Sequence, residues 1–140
     1  DALAAAAADT LAAIAVDTAW QASRNRGHGR RPDFVTGSRP YGRGGAIDEV
    51  TLQAMGCELG VRVDGEWMGL VRFSASGARR LAETLFAWQS EDAQGLAKAH
   101  MNQLFNRLVA EGNSIRVVYT TGHWLDVNHV DDLVLAGSFV

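Results

Sequence analysis

The chain has 140 residues, a net charge of −3 and 47% hydrophobic residues. A domain usually takes about 150 residues, so we expect residues 1–140 to form a single domain. The apolar content excludes a mainly disordered chain, and the acidic balance argues against a globally basic nucleic-acid-binding protein. The single cysteine, Cys57, excludes an internal disulfide and a cysteine-based metal cluster.

The sequence contains no apolar stretch that approaches the roughly 20 residues of a membrane-spanning helix. The apolar run 11–16 is far shorter than that, the alanine tract 4–8 is only weakly apolar, and no basic segment precedes an apolar core as in a signal peptide. We therefore predict a cytoplasmic protein with no membrane partner. Because the first residue is Asp1 rather than Met, we expect the chain to be a piece of a longer protein.

Local patterns predict helices and strands in alternation along the chain. The alanine-rich start predicts a helix over 1–8, and the apolar run 11–16 is typical of a strand buried on both faces, although a longer helix through it is the alternative. Further strands are predicted at 34–36, 49–55, 61–63, 66–73 and 115–119, with a hairpin turn at 64–65. Helices are predicted after Ser74 or Ser76, over 97–111 before a left-handed Gly112, and over 129–136.

This order of elements predicts an α/β fold with a mixed, mainly parallel sheet and flanking helices. In such sheets, ligands gather at the carboxyl ends of the strands. Asp17 follows the first strand and Asp126 follows the last one, so both carboxylates are expected at that edge. The alternative for Asp17 is a capping role in the next turn.

Residues 21–46 form a long glycine-punctuated segment with six arginines, which include Arg39 and Arg43. Loops of this length inside a domain are usually functional or disordered. Guanidinium groups match the oxygens of phosphate-like anions in a bidentate way, so Arg39 and Arg43 are candidate anion-binding residues; the alternative is a solvated loop. Aromatic residues are sparse there, which disfavours a nucleic-acid partner.

Asp126 and Asn128 lie two residues apart, immediately before the last predicted helix. Residues two apart in an extended segment point the same way, so both oxygens are able to face one hard cation such as Mg²⁺. The alternative is that Asn128 only caps the helix while Asp126 stabilises the same helix end.

Five blocks of the sequence together resemble a known enzyme family. They are AVDTAW (15–20), RRPDFV (30–35), SRPYGR (38–43), DGEWMGLVRFSASG (64–77) and TGHWLDVN (121–128). In this order they resemble the cytidylyltransferase domain that is fused to phosphoenolpyruvate phosphomutase in phosphonate biosynthesis. More broadly, residues 114–139 resemble the C-terminal end of the sugar-nucleotide and phosphocholine nucleotidyltransferases. The resemblance covers nearly the whole chain.

The resemblance implies a reaction in which CMP passes from CTP to a small phosphonate with release of pyrophosphate, assisted by Mg²⁺. It implies a Rossmann-like nucleotidyltransferase fold and places Asp126 as the catalytic metal ligand, with Asn128 as a weaker or indirect one. Asp17 and Trp20 lie where relatives shape the acceptor pocket, and a carboxylate with an indole suits an amino or ammonium group. Arg39, Arg43 and Glu66 complete the candidate substrate-binding residues; for Trp20 the alternative is a partly buried structural aromatic.

The family's nucleotide-binding half has no counterpart in this sequence. The glycine-rich stretches 27–29 and 43–45 neither follow a predicted strand nor open a helix, as a phosphate-binding loop does. We therefore expect the chain to be the C-terminal, acceptor-binding portion of the domain, inactive in isolation and partnered by the missing half or a fused phosphomutase domain. A homodimer would cover apolar edges left by that half. The alternatives are a phosphocholine or sugar-phosphate nucleotidyltransferase and a non-catalytic interaction module.

Overall fold

The computed structural model describes residues 2–6, 10–22, 31–42, 49–60, 62–122, 124–127 and 129–137. The strands in this part of the chain are β1 (Ala12–Asp17), β2 (Phe34–Gly37), β3 (Leu52–Gly56), β4 (Gly65–Phe73) and β5 (Ile115–Thr120). The helices are α1 (Ala2–Ala6), α2 (Ala75–Glu91), α3 (Ala93–Lys98), α4 (Met101–Ala110) and α5 (Val130–Gly137). No helix among the described residues has both the length and the apolar character needed to cross a membrane.

The five strands form one sheet in the order β3-β2-β4-β1-β5. The expectation of an α/β fold with a mixed sheet and flanking helices is confirmed, but the expectation of a mainly parallel sheet is wrong. Only β1 and β5 pair in parallel, whereas β1–β4, β2–β3 and β2–β4 are antiparallel in the described part of the chain. The physical reason is that β2, β3 and β4 follow one another without the helical crossover that parallel neighbours need.

The predicted hairpin at 64–65 is also wrong. Residues 62–64 are irregular, and β4 pairs with β2 and β1 instead of a strand just before it. The helix predicted over 97–111 is wrong as a single element. Helix α3 ends at Lys98 and a separate helix, α4, begins at Met101. The ends of two helices agree with the sequence. Ser74 caps α2 by accepting a hydrogen bond from the amide of Gly77 at 2.9 Å, and Gly112 has a φ of +82° after α4.

The sheet curls until its two outermost strands, β3 and β5, approach each other. Thr51, just before β3, makes an antiparallel bridge to Arg116 of β5, and the amide of Val117 donates to the carbonyl of Val50 at 2.7 Å. The main core fills the inner face of this curved sheet and contains Ile14, Val16, Val35, Met55, Phe105, Leu108 and Ile115. On the outer face, Ala6 of α1 packs against Ala13. Strand β1 is thus buried on both faces, as its continuous apolar run predicts.

A polar contact joins α2 to the end of α4. The hydroxyl of Thr84, which is 2% exposed, donates to Oε2 of Glu111 at 2.6 Å. This bond lowers the pKa of Glu111, the charges of Arg107 and Arg80 act in the same direction, and partial burial opposes them. A carboxylate whose pKa is lower in the folded state stabilises the fold above its unfolded pKa and ceases to do so as the pH falls through its folded pKa.

We expect Thr84→Val to lower the free energy of unfolding at pH 7 by about 1–2 kcal/mol, because the hydrogen bond to Glu111 is lost. The methyl that replaces the hydroxyl has a similar shape, so packing should change little. The difference from wild type should shrink in acid, below the usual pKa of 4.5 for this carboxyl. Urea unfolding at a series of pH values measures this. Ser90→Ala is the control, since that exposed hydroxyl bonds only its own helix. A difference that stays constant down to the acid limit would contradict the assignment.

Candidate functional site

Several chain segments meet at one edge of the sheet. The parallel strands β1 and β5 end together there, with Asp17 paired to Thr120. Strand β4 is antiparallel to β1 and therefore begins at the same edge, with Glu66 paired to Asp17. We call this the carboxyl edge. The structure thus brings Asp17, Glu66 and the chain that follows β5 to one place.

Asp17 ties the end of β1 to the loop after β5. Its Oδ1 accepts hydrogen bonds from the amide of Ala19 at 2.8 Å and from the amide of Gly122 at 2.7 Å. Its Oδ2 accepts from the indole Nε1–H of Trp124 at 3.0 Å. The residue is 0% exposed. A buried carboxylate that accepts three such bonds acts as a fixed anchor, because leaving those donors unpaired would cost free energy.

Glu66 lies directly opposite Asp17 in the β1–β4 ladder. Directly opposite residues of an antiparallel pair leave the sheet on the same face, so the two carboxyl side chains are neighbours. The preceding pair in the ladder, Val16 and Trp67, faces the main core. The carboxylates therefore leave the outer face of the sheet. Glu66 is only 3% exposed, and two adjacent buried carboxylates favour a cationic group nearby.

Trp20 belongs to the same edge. It opens the short 3-10 turn Trp20–Ala22 just after β1. Its ring lies 4.8 Å from that of Phe34, with the planes tilted by 59°. Phe34 is paired with Glu66 across β2 and β4. The sequence-predicted residues Asp17, Trp20 and Glu66 are therefore grouped by the fold.

Residues 38–42, which we call the Arg39 loop, continue β2 at the carboxyl edge. The Tyr119 hydroxyl donates to the carbonyl oxygen of Arg39 at 3.0 Å. Tyr119 also packs edge-on against Tyr41, with ring centroids 5.6 Å apart. Burial raises the pKa of Tyr119 to about 12, and the Asp64 carboxylate adds to the shift while Arg62 opposes it. Tyr119 thus remains a neutral hydrogen-bond donor at physiological pH and links this loop to β5.

A partly buried ion pair fixes the base of the Arg39 loop. Oδ2 of Asp64 accepts from the amide of Gly37 at 2.8 Å and lies 3.1 Å from Nε of Arg62. The Arg62 guanidinium also donates to the carbonyl oxygen of Gly37. The Asp64-Gly65 pair predicts a turn, and this role of Asp64 in an ion pair was not predicted. An acid beside a glycine suits a turn equally well, so the local pattern carries no signal that separates the two.

Asp126 lies in the segment between β5 and α5, described at 121–122 and 124–127, which we call the Asp126 loop. The residue is half-buried and follows Trp124, the indole donor to Asp17, by two positions. At the start of α5, the amide of His129 donates a hydrogen bond to Oδ2 of Asp132 at 2.7 Å. The predicted residues Arg43 and Asn128, and the stretches 27–29 and 43–45, lie outside the described residues.

The described residues contain no group of three or more His, Cys, Asp or Glu side chains arranged to hold a metal ion. Mg²⁺ does not need such a cage, because it commonly binds one or two carboxylates together with waters and substrate phosphates. A half-buried carboxylate on a loop at the carboxyl edge fits that mode. Asp126 is therefore compatible with a shared magnesium site that substrate oxygens complete.

Comparison with known proteins yields no relative of this chain. No protein-family model matches it, and neither a curated protein nor a solved structure matches it either. The function is therefore inferred from the residues at the carboxyl edge and from the sequence resemblance.

Proposed function

We propose that this chain is the acceptor-binding portion of a CTP-dependent cytidylyltransferase of Rossmann-like fold that transfers CMP to a small phosphonate. The observation that carries the proposal is the pair of long-range bonds from Gly122 and Trp124 to Asp17. They bring the Asp126 loop to the edge where Glu66 and Trp20 already lie. A carboxylate proposed to hold Mg²⁺, near acidic and aromatic side chains, would suit an acceptor that carries both an anionic and a cationic group.

In the proposed reaction, a phosphonate oxygen attacks the α-phosphorus of CTP. A new P–O bond joins CMP to the phosphonate, and the bond to the β-phosphate breaks to release pyrophosphate. Such transfers depend mainly on positioning and charge stabilisation. Bound Mg²⁺ would neutralise the triphosphate and the leaving pyrophosphate, and Asp126 is the residue of this chain that would hold it.

The other residues would act on the acceptor. Arg39, on a loop fixed by Tyr119 and Asp64, supplies positive charge for the phosphonate oxygens. Glu66 and Trp20 would receive an ammonium group through its charge and through cation–π contact. The nucleotide-binding residues would come from the missing half of the domain. We expect an aminoalkylphosphonate as the acceptor, because its ammonium group would meet Trp20 and Glu66, whereas a hydroxyalkylphosphonate does not need that pair.

The test is pyrophosphate release by the longer protein that contains this chain, with CTP and Mg²⁺. The acceptors are an aminoalkylphosphonate, a hydroxyalkylphosphonate, phosphocholine and a sugar phosphate. We expect turnover with the aminoalkylphosphonate, a higher KM for the hydroxyalkylphosphonate, and no release from this chain alone. Faster turnover with phosphocholine or the sugar phosphate would move the assignment to that enzyme class. A folded longer protein that releases no pyrophosphate with any acceptor would favour a non-catalytic interaction module.

A further inference from the structure

Asp17 is held by several protein donors at the carboxyl edge. It is 0% exposed, and both of its oxygens accept hydrogen bonds from protein donors. Two of the three donors are 105 and 107 residues away along the chain. A carboxylate has about four acceptor sites, so most of the capacity of Asp17 is used within the protein. This arrangement suits a structural anchor better than a direct substrate ligand.

Thr18, the residue after Asp17, adds two more hydrogen bonds between the end of β1 and the end of β5. The amide of Thr18 donates to the carbonyl oxygen of Thr120 at 2.9 Å, and its hydroxyl donates to the same oxygen at 2.9 Å. Residues 17 and 18 therefore hold both the last residue of β5 and the first turn of the Asp126 loop. Trp124 contributes a large, stiff side chain, and its indole bond to Asp17 fixes the loop two residues before Asp126.

We propose that Asp17 is a positioning residue that sets the location of the Asp126 carboxylate through Gly122 and Trp124. The proposal rests on the proposed function for its catalytic consequence, whereas the coupling between Asp17 and the loop is a property of this chain. It reassigns Asp17 from the acceptor pocket, where the sequence resemblance places it, to the support of the metal-binding loop. Glu66 then remains the carboxylate that meets an ammonium group.

The coupling is tested by amide hydrogen exchange on this chain with Asp17→Asn. The side-chain NH₂ group that this substitution introduces would face either the indole N–H or the backbone amides, so two donors would oppose each other, and the negative charge would be lost. We expect exchange at Gly122 and residues 124–127 to quicken about tenfold, since a hydrogen bond to a charged group contributes roughly that factor. Exchange at 115–118 of β5 should stay near the wild-type rate. No change in the loop, or a uniform rise along β5 and the loop, would overturn the proposal.

Trp124→Phe provides a second variant that keeps the aromatic bulk and removes only the N–H. We expect it to quicken loop exchange as well, and the double variant should show less than the product of the two single effects, because both remove the same bond. Asp92→Asn is the matched control. Asp92 caps α3 away from this edge, and asparagine caps a helix equally well. If the increase in exchange rate in the double variant equals the product of the two single increases, Asp17 and Trp124 act independently, and the proposal is overturned.

Steady-state kinetics in the longer protein separate positioning from substrate binding. For Asp17→Asn we expect kcat to fall by about 10- to 100-fold, the usual cost of losing a group that supports a metal ligand. The fall should be the same for the aminoalkylphosphonate and the hydroxyalkylphosphonate. A rise in KM confined to the aminoalkylphosphonate would instead make Asp17 an ammonium ligand. If the wild-type protein turns over neither substrate, the proposed function fails, while the exchange experiment still decides the coupling.

Discussion

Asp126→Ala is expected to lower kcat for pyrophosphate release by the longer protein at least about 100-fold, because a metal-held charge contributes several kcal/mol to transition-state stabilisation and each 1.36 kcal/mol is a factor of ten. The KM for the phosphonate should change much less, since Arg39 and Glu66 are assigned to acceptor binding. Raising the Mg²⁺ concentration should recover part of the activity if the loss is one of metal affinity. Initial rates over a range of Mg²⁺ and acceptor concentrations measure all three effects.

The matched control for this variant is Asp131→Ala. Asp131 is exposed in the first turn of α5 and carries the same charge, five residues further along the chain. We expect its kcat to stay within about twofold of wild type, because surface substitutions away from a site are usually nearly neutral. Equal losses in the two variants would mean that the general acidity of this segment matters rather than the Asp126 carboxylate. Full activity of Asp126→Ala would remove Asp126 from the mechanism.

Gly77→Ala is expected to destabilise the fold by about 3 kcal/mol, although alanine is by itself the better helix former by about 1 kcal/mol. A Cβ at position 77 would lie 2.8 Å from the carbonyl carbon of Leu11 and closer still to its oxygen. That oxygen also accepts hydrogen bonds from the amide of Ser74 at 3.1 Å and from its hydroxyl at 3.3 Å. The added methyl would therefore push the start of α2 away from β1 and weaken both bonds.

Thermal unfolding of this chain measures the effect, and we expect Tm to fall by about 10 °C. Gly137→Ala is the control, because it is the same substitution in helix α5, where no atom of the described residues lies within 4 Å of the added Cβ. We expect that variant to keep or slightly raise Tm. A stable Gly77→Ala protein would show that α2 is able to move without loss, and that its contact with Leu11 contributes little to the fold.

Much of the local structure was predictable because short-range physics sets it. The apolar run 11–16 becomes a strand that is buried on both faces, Ser74 caps a helix, and Gly112 takes the left-handed conformation. The strand directions were not predictable in the same way. The alternation of elements favoured parallel neighbours, whereas β2, β3 and β4 follow one another and pair antiparallel in the described chain.

The candidate site was likewise predictable only in part. Composition, spacing and the five resembling blocks single out Asp17, Trp20, Glu66 and Asp126 as residue types suited to a cation and a phosphonate. The contributions of Tyr119 and of the Arg62–Asp64 pair were missed, because their partners lie far away in the sequence or on a neighbouring strand. A tyrosine near the end of a strand and an Asp-Gly pair have common local explanations, so nothing in the linear pattern marks them.

The sequence by itself determined where strands β1, β4 and β5 lie, where α2 begins, and that an acid ends β1. Hydrophobic periodicity, capping and backbone preference act within a few residues, so they can be read from the linear chain. Only the tertiary structure decided that Glu66 lies opposite Asp17 and that Asp17 is bonded to Gly122 and Trp124. These contacts depend on strand order and register, which arise when distant segments bury a shared core, and no local pattern encodes them.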